Sequence, residues 1–596
     1  MSARATKVPE CLEVAPAPSP SQNKSASRLA TFLAPTIGLY QRLAERRLVA
    51  CLLVCLLTLG ARAALLPWVH VPKPVYQDEF GYLLAADTYA SGRLANPTPP
   101  FWEHFESFHI IMHPTYAAKY QPVQGLVMAF GEKFFGQPWI GVWLSVGLMC
   151  GLTCWMLQGW VAPGWALLGA LLLALRIGIF SYWMNSYWGG PVAAIGGALI
   201  LGALPRIGLR KQFRHAATLA LGMIILINSR PYDGAVLTVL AALCLAWWLL
   251  AKNRFPFVSA LKRVVLPIAA ILVVTAIFMA YFNYRVTGNP FELPYQEHEK
   301  QYAAAPVLVW GAMHPEKTYR HEVMRRYWNE WGIPVVTLVR TNPVTCFVVQ
   351  MVCVYRFYFG MLGLLLPALF WLHPLKTPEQ RMSLILLGGF LLSLAPLTGF
   401  NPHYAAAGTA LLYLVLVQGI ERMSGWQWSG RRVGLALALF SVCLFPAELA
   451  EYVAMLAHDG AYVRPVVLAR EQVVRTLDAI PGGHVVLLRY SPTHCVHREW
   501  VYNLADIDRE RIIWAHEMGP QWDRPFVDHY RDRHVWILDP DQSPPKLMPY
   551  ADAPAPAFPK QPPRPQGSLL EVNAQTCPAD VAAPTRPLFL VDPTSL

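Results

Sequence analysis

The feature that most constrains this chain is a series of apolar stretches, each close to the ~20 residues that a helix needs to cross a bilayer. They fall near residues 48–67, 139–160, 164–184, 190–206, 215–230, 233–251, 264–285, 345–372, 383–400, 404–420 and 433–455. In water so much apolar surface would stay uncovered, whereas in lipid each stretch satisfies its own backbone as a helix. Charge composition agrees: 14% of the 596 residues are charged, against about 25% in a soluble domain.

Charge placement decides how the stretches are threaded. A net charge of +12 would suggest nucleic acid in a soluble protein. Here the basic residues gather in short loops: "RIGLRKQFRH" (206–215), "KNRFPFVSALKR" (252–263), "HPLKTPEQR" (373–381) and "ERMSGWQWSGRR" (421–432). Lys and Arg in such loops fix the cytoplasmic side. All four share that side if "QPVQGLVMAFGEKFF" (121–135), which carries Glu132 and Lys133, lies in the interface instead of crossing. Arg42, Arg46 and Arg47 place the N-terminus there too. The expected fold is an α-helical polytopic protein of the cell inner (plasma) membrane, with about eleven transmembrane helices and interfacial helices in the first external loop. A cytoplasmic, disordered segment is expected at 1–47. A transmembrane domain follows at 48–455, with long external loops at 68–138 and 286–344.

After the last stretch the pattern changes. "HVVLLRY" (484–490), "RIIWAHEM" (511–518) and "HVWILDPD" (534–541) read as buried strands separated by helix-length segments. They predict a small external (periplasmic) α/β domain over 456–541, followed by a proline-rich external tail at 542–596. Cys495 and Cys577 are the two cysteines of this part, and an oxidising compartment would let them pair. Most other cysteines fall within apolar stretches, as packing residues. The sequence shows neither an internal repeat nor a nucleotide-binding glycine loop.

Groups able to do chemistry gather on the external side. "PVYQDEFGYLLAADTYASGRL" (74–94) opens on Asp78 and Glu79, and spacing alone leaves Asp78 open as helix cap or catalyst. Trp102, Glu103, His104, Glu106, His109 and His113 follow, then "KYQPVQG" (119–125). His109 and His113 have the i, i+4 spacing of a metal pair, but Pro114 argues against a continuing helix. A lining or structural role is preferred, with a divalent metal left open. Lys119 reads either as a snorkelling lysine or as a contact to a lipid phosphate. Arg230, in "NSRPYDG" (228–234), either pairs locally with Asp233 or serves the site. Arg176 and Arg356 fall inside spans, where an arginine marks a paired or functional position. Tyr187 and Trp188 occupy the connection "NSYWGGP" (185–191), and His403 and Tyr404 begin a span in "NPHYAAAG" (401–408).

"QDEFGYLLAADTYASGRL", the "KYQP" element before the interfacial helix and the polar span ends resemble the GT-C superfamily of membrane glycosyltransferases. Its members include lipid A aminoarabinose transferases, protein O-mannosyltransferases and bacterial lipopolysaccharide glycosyltransferases. The resemblance covers about residues 45–430 and leaves the external tail out. It implies an inverting enzyme that moves a sugar from a polyprenyl-phosphate donor to a glycolipid, polysaccharide or protein acceptor at the external face, with no nucleic-acid partner. Asp78 takes the position of the catalytic acid, with Glu79 beside it, and Lys119 that of a lipid-phosphate contact. Some relatives carry a basic residue three positions after the acid, where this chain has Gly81. Neutralising the phosphate then falls to Lys119, Arg230 or an intramembrane arginine such as Arg356. Tyr82, Trp102, His109, His113, Tyr187, Trp188 and His403 are the expected lining of the substrate site.

The chemistry is coherent without the family. The lipid donor brings its own phosphate leaving group, so no nucleotide site is needed. A base must take the acceptor's proton, and positive charge must meet the departing phosphate. Two other classes fit the topology. One is a non-catalytic scaffold of the same architecture with an external binding domain. The other is a secondary transporter, which would be expected to show paired ionisable groups at the midplane and repeated halves.

Overall fold

The computed structural model describes residues 24–209, 212–251, 257–315, 317–360, 365–372, 377–459 and 465–554. A helix stands at every apolar stretch: Arg47–Ala64, Trp139–Leu157, Pro163–Ile179, Gly190–Leu209, Phe213–Ile227, Pro231–Ala251, Val258–Thr287, Pro343–Phe359, Pro378–Leu392, Pro402–Ser424 and Val433–Asp459. Among the described residues, 5 are long and apolar enough to cross a membrane alone: Arg47–Ala64, Trp139–Leu157, Gly190–Leu209, Val258–Thr287 and Pro402–Ser424. The others are apolar segments of 10–17 residues, Pro231–Trp247 and Val433–Leu444 among them, or belong to a bent pair. Glu322–Thr341 meets Pro343–Phe359 at 107°, a break that Pro343 enforces by withholding its N–H and pushing Asn342 out of the helical region. The single span expected at 345–372 is likewise divided, into Pro343–Phe359 and Leu365–Leu372. Gly190–Leu209 is the central helix. A Cβ at Gly197 would stand 1.9 Å from the Ala407 carbonyl oxygen, so glycine is what lets Pro402–Gly408 cross there.

One expectation needs correction at the start of the membrane part. The N-terminal segment is not wholly disordered, because Lys24–Glu45 is helical and the Tyr40 hydroxyl donates to the Gly164 carbonyl at 2.6 Å. Residues 1–23 lie outside the described residues. In the loop between the first two apolar helices, Pro122–Phe135 is a 14-residue helix, about 21 Å long by its rise and short of the ~30 Å hydrocarbon core. It exposes Leu126, Phe130, Phe134 and Phe135, as an interfacial helix would.

That loop also contains the helix Gln77–Ala90 and a small antiparallel ribbon, β1 (Ile110–Ile111) with β2 (Ala117–Ala118). After the last apolar helix come Pro465–Asp478 and a four-stranded sheet. The sheet contains β3 (His484–Leu488), β4 (Ile512–His516), β5 (His534–Asp539) and β6 (Lys546–Pro549) in the order β4-β3-β5-β6. The first three are parallel and β6 is antiparallel to β5. The three expected strands are present. β6 extends the sheet beyond the expected boundary at 541, into what reads as proline-rich tail, because an edge strand tolerates Pro549.

The α/β unit is not a self-contained domain. Leu84, Phe105, Ile110, Met112 and Tyr116 of the first loop form one buried cluster with Val485, Leu487, Ile513, Ala515, Phe526 and Ile537. Each such burial contributes roughly 1.5–3 kcal/mol. Hydrogen bonds cross the same seam: Gln77 Nε2 to the Val496 carbonyl (2.6 Å), the Ala505 amide to Asp87 (2.7 Å) and the Tyr116 hydroxyl to the Asn503 carbonyl (2.9 Å). Cys495 is disulfide-bonded. Its expected partner Cys577, with the rest of 555–596, lies outside the described residues.

Candidate active site

Two adjacent acids begin the helix Gln77–Ala90, and the fold gives them different work. Glu79, 2% exposed, turns back from the third helical position. Its Oε2 accepts the amides of Val75 (2.8 Å) and Tyr76 (3.0 Å), and its Oε1 accepts that of Tyr187 (3.1 Å). This is the reaching-back half of a capping box, extended to a second chain segment. Glu79 thus braces the start of the helix against two chain segments. Tyr187 belongs to the same brace, since its hydroxyl donates to the Pro72 carbonyl at 2.9 Å. Asp78 is thereby released from capping. Its side chain is 35% exposed, Oδ1 accepts the Tyr120 hydroxyl at 2.6 Å, and Oδ2 lies 3.8 Å from His109 Nε2.

The ribbon β1–β2 positions the next groups, with the Lys119 amide donating to the His109 carbonyl at 3.1 Å. His109 has φ +63°, a left-handed conformation uncommon for a side-chain-bearing residue and the kind of strain that collects at functional sites. Burial holds its pKa well below the usual imidazole value, helped by Lys119 and His497. The ring is thus neutral beside Asp78, and the 3.8 Å approach is not an ion pair. The gap is too long for a direct hydrogen bond and wide enough for a hydroxyl to bridge. His109 Nδ1 is buried without a hydrogen-bond partner among the described residues.

Lys119 has no ion-pair partner among the described residues. Its ammonium lies 5.5 Å from the Tyr120 ring centroid and 5.8 Å from that of Tyr295. Burial brings its pKa down to about 8, against the opposing pull of Asp78 and Glu299. Arg230 does pair locally, Nε to Asp233 Oδ2 at 2.5 Å, and also covers the Tyr404 ring at 4.3 Å. Tyr82 and Tyr295 feel the charges of both Asp78 and Arg230, which puts acid and cation around one tyrosine cluster. Tyr82 stacks on Tyr120 at 4.1 Å. Gly81 completes the packing. A Cβ there would meet the Tyr120 ring at 2.8 Å, so a basic side chain at that position is incompatible with the tyrosine that holds Asp78.

Several expected residues stand elsewhere. Arg356 is exposed and makes none of these contacts. Its carbonyl, with that of Phe357, accepts the Arg176 guanidinium at 2.6 and 3.2 Å, so Arg176 serves a helix C-terminus. Trp102 packs against His113 (4.3 Å) and under Arg320 (4.5 Å), and His113 is exposed before a cis proline. His104 turns to Asp523 at 3.2 Å. The three histidines thus have separate partners, and the described residues contain no group of three or more side chains able to hold a metal. Trp188 and His403 do meet, with rings 4.3 Å apart, and His403 Nδ1 lies 3.0 Å from the Tyr182 hydroxyl.

Sequence reasoning missed Tyr120, Tyr295, His298, Tyr327 and His497. His298 lies 6.0 Å from the His109 ring, and Tyr327 lies at the same 6.0 Å distance. His497 arrives from the C-terminal unit, 5.9 Å from Tyr327, and burial lowers its pKa to about 4 against the pull of Asp78. The polar, aromatic run "PYQEHEKQY" (294–302) in the second long loop was a usable signal for Tyr295 and His298. His497 had none.

No family model and no curated protein matches this chain. Among solved structures, it is similar to the oligosaccharyltransferase of Archaeoglobus fulgidus crystallised with zinc and sulfate. Identity is 13%, coverage 83% of this chain and 67% of that one, and the TM-score 0.44. It is also similar to ArnT from Cupriavidus metallidurans bound to undecaprenyl phosphate, at 11% identity, with 85% and 93% coverage and a TM-score of 0.41. Scores of this size do not carry chemistry from those proteins to this one.

Proposed function

We propose that this chain is a GT-C-type membrane glycosyltransferase. It takes a sugar from a polyprenyl-phosphate donor and passes it to an acceptor hydroxyl at the external membrane face. One observation carries the reading: Asp78, free of capping duty and one-third exposed, faces a tyrosine cluster that also holds Lys119, without an ion-pair partner among the described residues, and the Asp233-paired Arg230. Asp78 takes the acceptor proton. Lys119 and Arg230 meet the negative charge that builds on the leaving phosphate. Tyr120 orients the carboxylate, while neutral His109 adds no competing charge. Displacement by the acceptor from the face opposite the phosphate inverts the anomeric centre. In this orientation the N-terminus is cytoplasmic and the C-terminal unit external. A scaffold has no need of an uncapped carboxylate beside a lysine without an ion-pair partner among the described residues.

Polyprenyl phosphate is the common product whatever the sugar, so its binding tests the reading first. Purified protein in vesicles should bind undecaprenyl phosphate, and Lys119→Ala should weaken that binding about tenfold, the usual loss for one charge-assisted contact. Absence of binding by the wild type would end this assignment.

A further inference from the structure

On the face of Gln77–Ala90 away from Asp78, a second basic site is present that the transfer reaction does not use. Phe80, two residues beyond Asp78 and so roughly 200° around the helix, stacks on Tyr502 with ring centroids 4.6 Å apart. Arg470, from the first helix after the membrane part, lies over both rings, at 5.6 and 5.9 Å, and over Trp514 at 4.8 Å. Three aromatic faces fix the plane of the guanidinium. No carboxylate or carbonyl is within hydrogen-bond or ion-pair distance of it among the described residues. Its acidic neighbour Glu510 is pushed up to about 8 by burial, so near neutral pH that carboxyl leaves the arginine largely uncompensated.

Arg470 opens into a cavity of about 450 Å³ lined also by Lys73, Pro74, Glu471, Val474 and Arg475. Glu471 is the one acid there, with loose contacts of 3.6 Å to Lys73 and 3.5 Å to Arg475. It offsets one of three cations. Location adds to this. Lys73 lies shortly after Arg47–Ala64 and the exposed Trp68, and Pro465–Asp478 follows closely on Val433–Asp459. The cavity is thus built by two segments that have just left apolar helices.

We propose that this cavity is a phosphate-binding site, with Arg470 as the bidentate contact and Lys73 and Arg475 as the outer cations, and that its occupant is the headgroup of an anionic membrane lipid. Arginine matches phosphate geometry with two parallel N–H donors, and interfacial cations draw anionic lipid to such a site. The proposal goes beyond the transfer reading and does not depend on it.

The test uses the full chain in detergent, titrated with short-chain phosphatidylglycerol, phosphatidylcholine or inorganic phosphate and read by native mass spectrometry and thermal midpoint. Phosphatidylglycerol should bind in preference to phosphatidylcholine, and Arg470→Gln should weaken it about tenfold or more. Lys73→Gln with Arg475→Gln, both exposed and remote from any core, should weaken it by a smaller factor. Stabilisation by inorganic phosphate that Arg470→Gln abolishes, without lipid preference, would keep the site and assign it a soluble phosphate. Unchanged binding in Arg470→Gln overturns the site. If that variant does not fold, unchanged binding in the Lys73/Arg475 pair overturns it instead. Binding must also survive Asp78→Asn and Lys119→Ala. Its loss there would place the lipid in the candidate active site and refute a separate one.

Discussion

Asp78→Asn and Glu79→Gln, neighbours and chemically alike, should fail in opposite ways. Asparagine at 78 still accepts the Tyr120 hydroxyl, now 2.6 Å from Oδ1, and no backbone amide loses a partner. The fold should therefore be untouched. What is lost is the group that takes the proton, at a cost of roughly 10²–10⁴ in rate, or about 3–5 kcal/mol in the barrier. Undecaprenyl phosphate should bind at least as tightly as before, since a negative charge near Lys119 has gone. Glu79→Gln keeps the shape, but only one of its two terminal atoms still accepts, so either the Tyr187 amide or the Val75 and Tyr76 amides face an NH2 group while the rest bond to a neutral oxygen. Charged hydrogen bonds exceed neutral ones by about 1 kcal/mol each, so the loss falls on stability and appears as a lower melting temperature. Both variants would be reconstituted in vesicles, with polyprenyl phosphate release, lipid binding and thermal midpoint measured on the same preparations. Near wild-type release by Asp78→Asn would refute the assignment of the base. A Glu79→Gln protein of normal stability and no turnover would show that the roles are reversed.

Lys119 sets a pH dependence. Its pKa near 8 in the free protein means the ammonium is present below that value and lost as pH rises through it, so undecaprenyl phosphate affinity should fall above about pH 8 in wild type and lose that inflection in Lys119→Ala. Gly81→Ala places a methyl 2.8 Å from a ring held by Tyr82 and Tyr295; overpacking of this kind costs about 1–3 kcal/mol, and transfer should drop while undecaprenyl phosphate binding persists, an outcome that equal loss of both would contradict. Cysteine placed at Thr377 should be labelled from the cytoplasm and at Gln296 from outside; labelling of both from one side would overturn the proposed threading.

The sequence made the membrane architecture legible because each apolar stretch is a local signal, and a helix stands at every one. It could not show that Pro343 sits at a 107° bend between helices or that 345–372 is divided, since hydropathy averages over such breaks. In the site, Asp78, Lys119 and Arg230 are brought around one cluster as expected, because all three lie at ends of elements facing the same side. The bracing work of Glu79 was not legible, because a capping glutamate and a catalytic one look alike until the amides of Val75 and Tyr187 are placed. Arg356 and His113 lie exposed, and their placement away from the Asp78 cluster could not be read from the sequence. Tyr120 lay inside the quoted "KYQP" yet was passed over, since a tyrosine's hydroxyl partner is a tertiary fact. His497 depends on a pairing between the chain's two external extremes, which no window of sequence contains.

The buried seam between the first loop and the C-terminal sheet has a consequence for biogenesis. Leu84, Phe105, Ile110 and Met112 emerge early, but their packing partners from Val485 to Ile537 are made only after the last apolar helix. Until then the loop bearing Asp78 has half a core, and the segment that carries His497 over it is missing. Under the proposed function the site is therefore completed only after the last apolar helix has been made, and a chain that stalls there would be inserted yet inert.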